Sequence, residues 1–317
     1  RSTVMAARTL LQQALVTTFG LKVAGWLAGI IEARAMLAAI HDHRLVLQFG
    51  GAVGTLASLA DRGPEVAREL AAELGFWEPL LPWHTARSRV VELASALAIT
   101  AGVAGKVALD VVLLAQTEVG EVSEGWSTGR GGSSTLPQKQ NPVNAIEILA
   151  AVRGVNAQAS ALLATMLQEH ERAAGAWQAE WQAVSETLRL TGGAAHRLAD
   201  LLEGLEVDSE RMRRNLGQSG GRIMSEHVVM VLGERVDPRT ARKLVDAAVS
   251  KSTTSGRPFT EVVLEDPAIT AHLTREQLAS ALDPYSYLGA SDQLIDRTLG
   301  AYREQTRQVR RRLKAET

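Results

Sequence analysis

Proline placement constrains this chain more than any other feature. Nine prolines stand at positions 64, 79, 82, 137, 142, 238, 258, 267 and 284 of 317 residues. None falls in the first 63 residues, 54 residues separate Pro82 from Pro137, and 95 separate Pro142 from Pro238. A proline inside a helix costs roughly 3 kcal/mol, so long helices belong in these blocks. The blocks carry a helical period. Between 90 and 118, Val91, Leu93, Leu97, Val103, Val107, Leu109, Leu113 and Leu114 fall in i, i+3 or i+4 relations. Between 144 and 171, Ile146, Leu149, Val152, Val155, Leu162, Leu163, Met166 and Leu167 do the same. Both stretches exceed the roughly 8–20 residues usual for globular helices. Small residues along them (Gly102, Ala104, Gly105, Ala108, Ala159, Ala161) let helices approach closely. The expected fold is all-α, a long-helix bundle. Its alanine-rich faces are hard to bury within one chain, which predicts a bundle shared between subunits. No alternating apolar–polar run demands a sheet.

From Leu205 onward charges become denser, proline returns and the expected helices shorten. They are 209–216 capped by Asp208, then 223–235, 238–251, 261–264, 275–281 and 291–314. The reading is two domains, a bundle over 1–204 that contains a loop at 119–141, and a smaller helical domain over 205–317.

Charge and cysteine content narrow the function. Lys and Arg number 34 against 35 Asp and Glu, a balance that argues against nucleic acid as a partner. The absence of cysteine excludes disulfides, Cys-bound zinc and a thiol nucleophile, and fits a cytoplasmic address. The most apolar stretch, 14–31, carries Lys22 and is followed at once by Glu32 and Arg34. It reads as a buried core helix rather than a membrane span. Residues 1–13 lack the layout of a signal peptide. The chain begins at Arg1, and Met5 makes a poor initiator, so a further N-terminal portion is expected.

The segment 119–141, VGEVSEGWSTGRGGSSTLPQKQN, departs from helix. Its five glycines would suit a flexible linker, but its end has ordered chemistry. Two hydroxyls precede Lys139, and Asn141-Pro142 opens the next helix, with Asn141 as cap and Pro142 in the first turn. The N–H groups of that helix start, with Lys139, would hold an anion. The Gly-Lys-Ser order of a Walker loop is missing. A serine near a lysine beside such amides suits acid–base chemistry.

Gly132 to Pro142 resembles the signature loop of the fumarase/aspartase superfamily, G-S-S-x-M-P-x-K-x-N-P, with Leu136 in place of Met. The resemblance implies that Ser133 transfers a proton, with Ser134 the alternative, and that Lys139 and Asn141 bind substrate carboxylates or position the loop. Arg8 to Ala14 aligns with the G-R-T-H-G-Q-P-A stretch of adenylosuccinate lyases, but their catalytic histidine falls on Leu10. Their phosphate-holding Asp, Ser and Arg fall on Ala173, Trp177 and Trp181. The chain is more similar to bacterial 3-carboxy-cis,cis-muconate cycloisomerases, through L-Q-F-G-G-A (47–52), P-W-H-T-x-R (82–87), Q-E-H-E-R (168–172), W-x-A-E-W (177–181), M-R-R-N-L (212–216) and the stretch 283–289. Ser88 stands where that family usually has Asp.

That family closes a lactone, and the resemblance implies the same here, in the protocatechuate branch of the β-ketoadipate pathway. A carboxylate of the substrate adds to a conjugated double bond and a proton is added α to a carboxylate. The nucleophile is the substrate's own, so neither metal nor cofactor is called for. A tricarboxylate substrate needs converging cations, for which Arg87, Arg172 and Lys139 match. His84 is an acid–base or carboxylate-donor candidate, and Thr9 and Gln12 match positions that line the site in relatives. Trp177 and Trp181, at i and i+4, read as bundle core, and His170 as a possible helix-end cap. The resemblance also implies a homotetramer with shared sites, no membrane partner, and an N-terminal domain outside this sequence. The competing readings are a carbon–nitrogen lyase of the adenylosuccinate type and a non-catalytic structural relative.

Overall fold

The computed structural model describes residues 1–125, 131–132 and 135–315, with side chains described as far as residue 311. Among them, strands β1 (Val4–Thr9) and β2 (Gln12–Thr18) lead into α1 (Phe19–His43), α2 (Gly63–Leu74) and α3 (Ser88–Leu114). The short strand β3 (Val122–Glu124) precedes α4 (Val143–Ala164) and α5 (Ala176–Glu203). After strand β4 (Leu205–Val207) come α6 (Ser209–Gly217), α7 (Ser225–Gly233), α8 (Pro238–Ser255), α9 (Phe259–Glu265), α10 (Pro267–Thr270), α11 (Arg275–Ala281) and α12 (Ser291–Ala315). The expected all-α class holds, with two two-stranded antiparallel or short pairings, β1–β2 and β3–β4, added to it.

The chain divides into two compact units that interleave along the sequence. One comprises 1–27, 116–122 and 207–317, and the other 28–115 and 123–206. The expectation had 1–204 together, whereas 1–27 and 116–122 group with the C-terminal residues. Hydrogen bonds explain the grouping. Glu121, fully buried, receives Arg8 Nη2 at 2.7 Å, Arg8 Nη1 at 2.9 Å and Asn215 Nδ2 at 2.7 Å. Arg211 donates through Nε to the Val119 carbonyl at 2.9 Å.

In the bundle unit, α3 buries Val91, Ala94, Leu97, Ala101, Ala104, Ala108 and Val111, a stripe at i+3 and i+4 carried largely by alanine. Small residues set the helix spacing. A Cβ at Gly105 would meet Val152 Cγ2 at 3.0 Å, and one at Gly154 would meet Leu190 Cδ1 at 2.8 Å. Gly102 and Ala161, expected in the same role, are exposed. Helix α4 is shorter than the expected 144–171. It ends where the buried Thr165 turns its hydroxyl back to the Leu162 carbonyl at 2.8 Å, and His170 adopts a left-handed φ of 45°. Helix α5 restarts the chain with the Gly175 N–H donating to Gln178 Oε1 at 3.1 Å.

The apolar stretch 14–31 is not one core helix, because its first residues belong to β2. Helices α1, α3 and α4 are long and apolar enough to cross a membrane by length and composition. The apolar surface of the bundle helices is only partly covered within the chain, as half-exposed Ile99, Leu163 and Leu188 on α3, α4 and α5 illustrate.

In the other unit, α7, α8, α9 and α11 close around Phe259, Val262, Ile269 and Leu278. The expected cap at Asp208 is present, and two further starts in the unit are capped as well. Asp208, Asp237 and Thr274 accept N–H groups of the first turns of α6, α8 and α11. The β1–β2 hairpin pairs Thr9 with Gln12 across a two-residue turn made by Leu10 (φ 50°) and Leu11 (φ 66°).

Candidate functional site

Four motifs far apart in sequence meet in the bundle unit. The 82–87 turn leads into α3, and its Trp83 is held from the 47–52 segment. Gln48 Oε1 accepts the Trp83 N–H at 2.8 Å, and Trp83 Nε1 donates to the Leu47 carbonyl at 2.9 Å. The two segments lie so close that a Cβ at Gly50 would stand 2.6 Å from Pro82 Cβ and 2.9 Å from His84 Cε1. The 168–172 segment closes the other side. Thr85 Oγ1 donates to the His170 carbonyl at 3.0 Å. Arg172 donates through Nε to Ala52 O at 2.9 Å and through Nη2 to Gly51 O at 2.6 Å, and its guanidinium lies 5.8 Å from the Trp177 ring. Glu169 accepts the Ala174 N–H at 3.0 Å, which tightens this segment and holds the carboxyl below the usual carboxylate range.

His84 sits at the centre of this corner. Partial burial, then the positive charges of Arg172 and Arg87, hold its imidazole below the ordinary value of 6.5. At neutral pH it is an uncharged donor–acceptor beside two guanidinium groups. That pairing suits a carboxylate ligand, which gains a charge partner in Arg172 and a neutral hydrogen-bond partner in His84.

Arg87, expected as a substrate cation, is engaged within the chain. Its side chain is buried against Glu180, with Nε at 3.0 Å from Oε1 and Nη2 at 2.5 Å from Oε2, and it stacks 5.1 Å from the Trp83 ring. A guanidinium committed to a buried carboxylate has little to give a substrate. Glu180 escaped the sequence reading, although a charge between the two tryptophans of W-x-A-E-W was a visible signal. Those tryptophans are not bundle core within this chain. Trp177 and Trp181 are 37% and 57% exposed and meet edge to face at 5.4 Å. His170 lies between helices rather than capping one.

The signature loop contributes differently from expectation. Ser133 and Ser134 lie outside the described residues. Lys139 is exposed. Asn141 does not cap α4. Its N–H and its Nδ2 both donate to Gly131 O, at 2.8 and 3.0 Å, and so close the loop on itself. The first free N–H groups of α4, expected to hold an anion, are taken by Glu124. Its carboxylate accepts Asn144 N at 3.0 Å and Ala145 N at 2.8 Å. A cleft of about 470 Å³ beside this base is lined by Glu124, Asp200, Glu203 and Glu206, the wrong charge for an anionic ligand. Among the described residues no hydrogen bond or ion pair joins Lys139 or Asn141 to His84, Arg87 or Arg172. Thr9 and Gln12 belong to the other unit, exposed at the turn of the hairpin.

The bundle unit thus combines long helices, a glycine-rich segment between α3 and α4, and an Arg–His corner, the makeup of a lyase-type scaffold. A family model described as lyase matches residues 1–159, and one described as adenylosuccinate lyase C-terminus matches 221–298. The chain belongs to this lyase family, and its fold is that of the fumarase/aspartase superfamily. Among its relatives, a 3-carboxy-cis,cis-muconate cycloisomerase of Bradyrhizobium diazoefficiens is 46% identical over 299 residues, which cover 94% of this chain and 66% of that protein. A nitrosuccinate lyase of Streptomyces davaonensis is 45% identical over 308 residues, covering 95% and 65%. The crystal structure of 3-carboxy-cis,cis-muconate lactonizing enzyme from Pseudomonas putida matches with a TM-score of 0.90 at 39% identity, over 96% of this chain and 68% of that one. The chain thus spans just under two thirds of the length of the first two of these relatives.

Proposed function

We propose that this chain carries the chemistry of a 3-carboxy-cis,cis-muconate cycloisomerase. The observation that carries the reading is the convergence of 47–52, 82–87 and 168–172 on a neutral His84 beside Arg172. The substituted positions support it too. Ala173, Trp177 and Trp181 supply none of the groups that hold a nucleotide phosphate and Leu10 is no catalytic histidine, while Arg172 and His84 suit a compact polycarboxylate.

In this reading the substrate's own carboxylate closes the ring and the protein supplies orientation, charge and one proton. Arg172 and His84 anchor carboxylates, and Lys139 with Asn141 brings the loop to the reacting carbons. Ser133, with Ser134 next to it, transfers the proton α to a carboxylate. Thr9 and Gln12 contribute from a hairpin of another copy in a homotetramer. The half-exposed apolar faces of α3, α4 and α5 support that assembly, since their area needs a covering surface. A cytoplasmic enzyme consuming a soluble ring-cleavage product fits the same reading.

The test is an absorbance assay on 3-carboxy-cis,cis-muconate with the full-length protein. Loss of the diene band is expected, and Ser133→Ala should slow it by about 10²–10⁴-fold. An unchanged diene band would sink the reading. Release of nitrite from nitrosuccinate, the substrate in the name of the Streptomyces relative, would then favour the carbon–nitrogen lyase reading.

A further inference from the structure

Glu180 lies in the second turn of α5, is 3% exposed, and has no place in the chemistry above. Its carboxylate gathers donors from three segments. Arg87 Nε reaches Oε1 at 3.0 Å and Oε2 at 3.1 Å, and Arg87 Nη2 reaches Oε2 at 2.5 Å. Gln168 Nε2 donates at 2.8 Å, and the buried Thr165 Oγ1, whose proton is shared with the nearer Leu162 carbonyl, lies at 3.3 Å. Arg87 ends the turn that carries His84 and turns Nη1 back toward the His84 carbonyl at 3.5 Å. Gln168 opens the segment that carries Arg172. One buried carboxylate therefore ties down both walls of the corner from behind.

We propose that Glu180 is a positioning residue of the candidate site. Through Arg87 it fixes the His84 turn, and through Gln168 and Thr165 it fixes the Arg172 segment, so it sets the spacing between the imidazole and the guanidinium that meet a carboxylate ligand. The identity of that ligand rests on the cycloisomerase reading, but the positioning does not. Glu180 also balances Arg87. Among the described residues the charged groups that act on the His84 ring are Arg172 and Arg87, and Glu180 lies against Arg87. Removing the carboxylate leaves the Arg87 charge bare beside an already neutral imidazole.

A buried ion pair could serve stability alone, and the experiment separates the two roles. In the full-length protein, His84 is titrated by NMR on ¹³C-labelled histidine, assigned with His84→Gln. Kinetics on 3-carboxy-cis,cis-muconate run in parallel. Glu180→Gln should lower the His84 midpoint further and cut kcat/KM by about 100-fold, the cost of a misplacement near 1 Å. Because loss of one partner of a buried pair can unfold a chain, a second variant joins Arg87→Met to Glu180→Met, which replaces the pair by apolar contact. That double variant should melt within about 3 °C of the parent and still show the kinetic loss. A folded Glu180→Gln protein with an unmoved His84 midpoint would overturn the proposal, and so would a double variant with parental kcat/KM. Absence of turnover in the parent would count against the cycloisomerase reading only, since the titration still tests the positioning.

Discussion

Two cores in this chain are built on opposite terms. Around α7, α8, α9 and α11, Phe259, Val262, Val263, Ile269 and Leu278 are at most 1% exposed. In the bundle, Ile99, Leu163 and Leu188 stand 53%, 55% and 47% exposed on helices of 27, 22 and 28 residues. Short capped helices can turn around a common centre and bury most of their apolar faces at once, although Met230 on α7 stays 56% exposed. A long helix with apolar residues on two sides can give only one of them to its neighbours in the chain. The difference separates a core largely closed within the chain from long helices that keep an apolar side uncovered.

Substitutions can break or sharpen this contrast. Phe259→Ala should lower the unfolding free energy by about 3–5 kcal/mol in a denaturant titration. Leu188→Ala should change that of the dissociated chain by less than about 0.5 kcal/mol while weakening assembly in sedimentation. Equal, concentration-independent losses for the two would erase the distinction. Next comes the pair of buried Glu121 with the partly exposed Arg8 in the closed-core unit. Glu121→Ala removes the acceptor of Arg8 and Asn215 and should cost about 1–3 kcal/mol, yet leave the His84 midpoint where it was. Movement of that midpoint would show that the two buried carboxylates do not act separately. Thr274→Ala removes the hydroxyl that accepts the Gln277 N–H and should cost about 1 kcal/mol, seen as a small shift in the denaturation midpoint.

The smallest effect concerns pH. The folded His84 binds its proton more weakly than an unfolded histidine, so its contribution is full above the ordinary value of 6.5 and is lost as pH falls below it. The melting temperature should drop between about pH 7.5 and about pH 5.5, and His84→Gln should flatten that slope. An identical slope in the variant would mean that other groups set it.

The closed core was more legible than the bundle for the same physical reason. Asp208, Asp237-Pro238 and the Thr274-x-x-Gln277 box mark helix starts with local chemistry, and α6, α8 and α11 begin there. In the bundle the signal was tertiary. The end of α4 depends on Thr165, whose hydroxyl has a partner on Glu180 in the next helix. The hairpin was invisible because its turn uses Leu10 and Leu11 where Asn and Gly normally announce left-handed residues. The motifs of the site could be read, but their division of labour could not. Arg87 and Glu180 are 93 residues apart, and only folding reveals that one consumes the other.

The cap on α4 has a consequence of its own. Glu124 is an anion tethered by the chain to the positive end of a helix, so it competes with any carboxylate arriving from solution. A tether of this kind commonly sustains a local concentration in the millimolar range. A free anion binding there must first outbid a resident that never diffuses away. The helix start is therefore held by the chain's own carboxylate, at the foot of the loop.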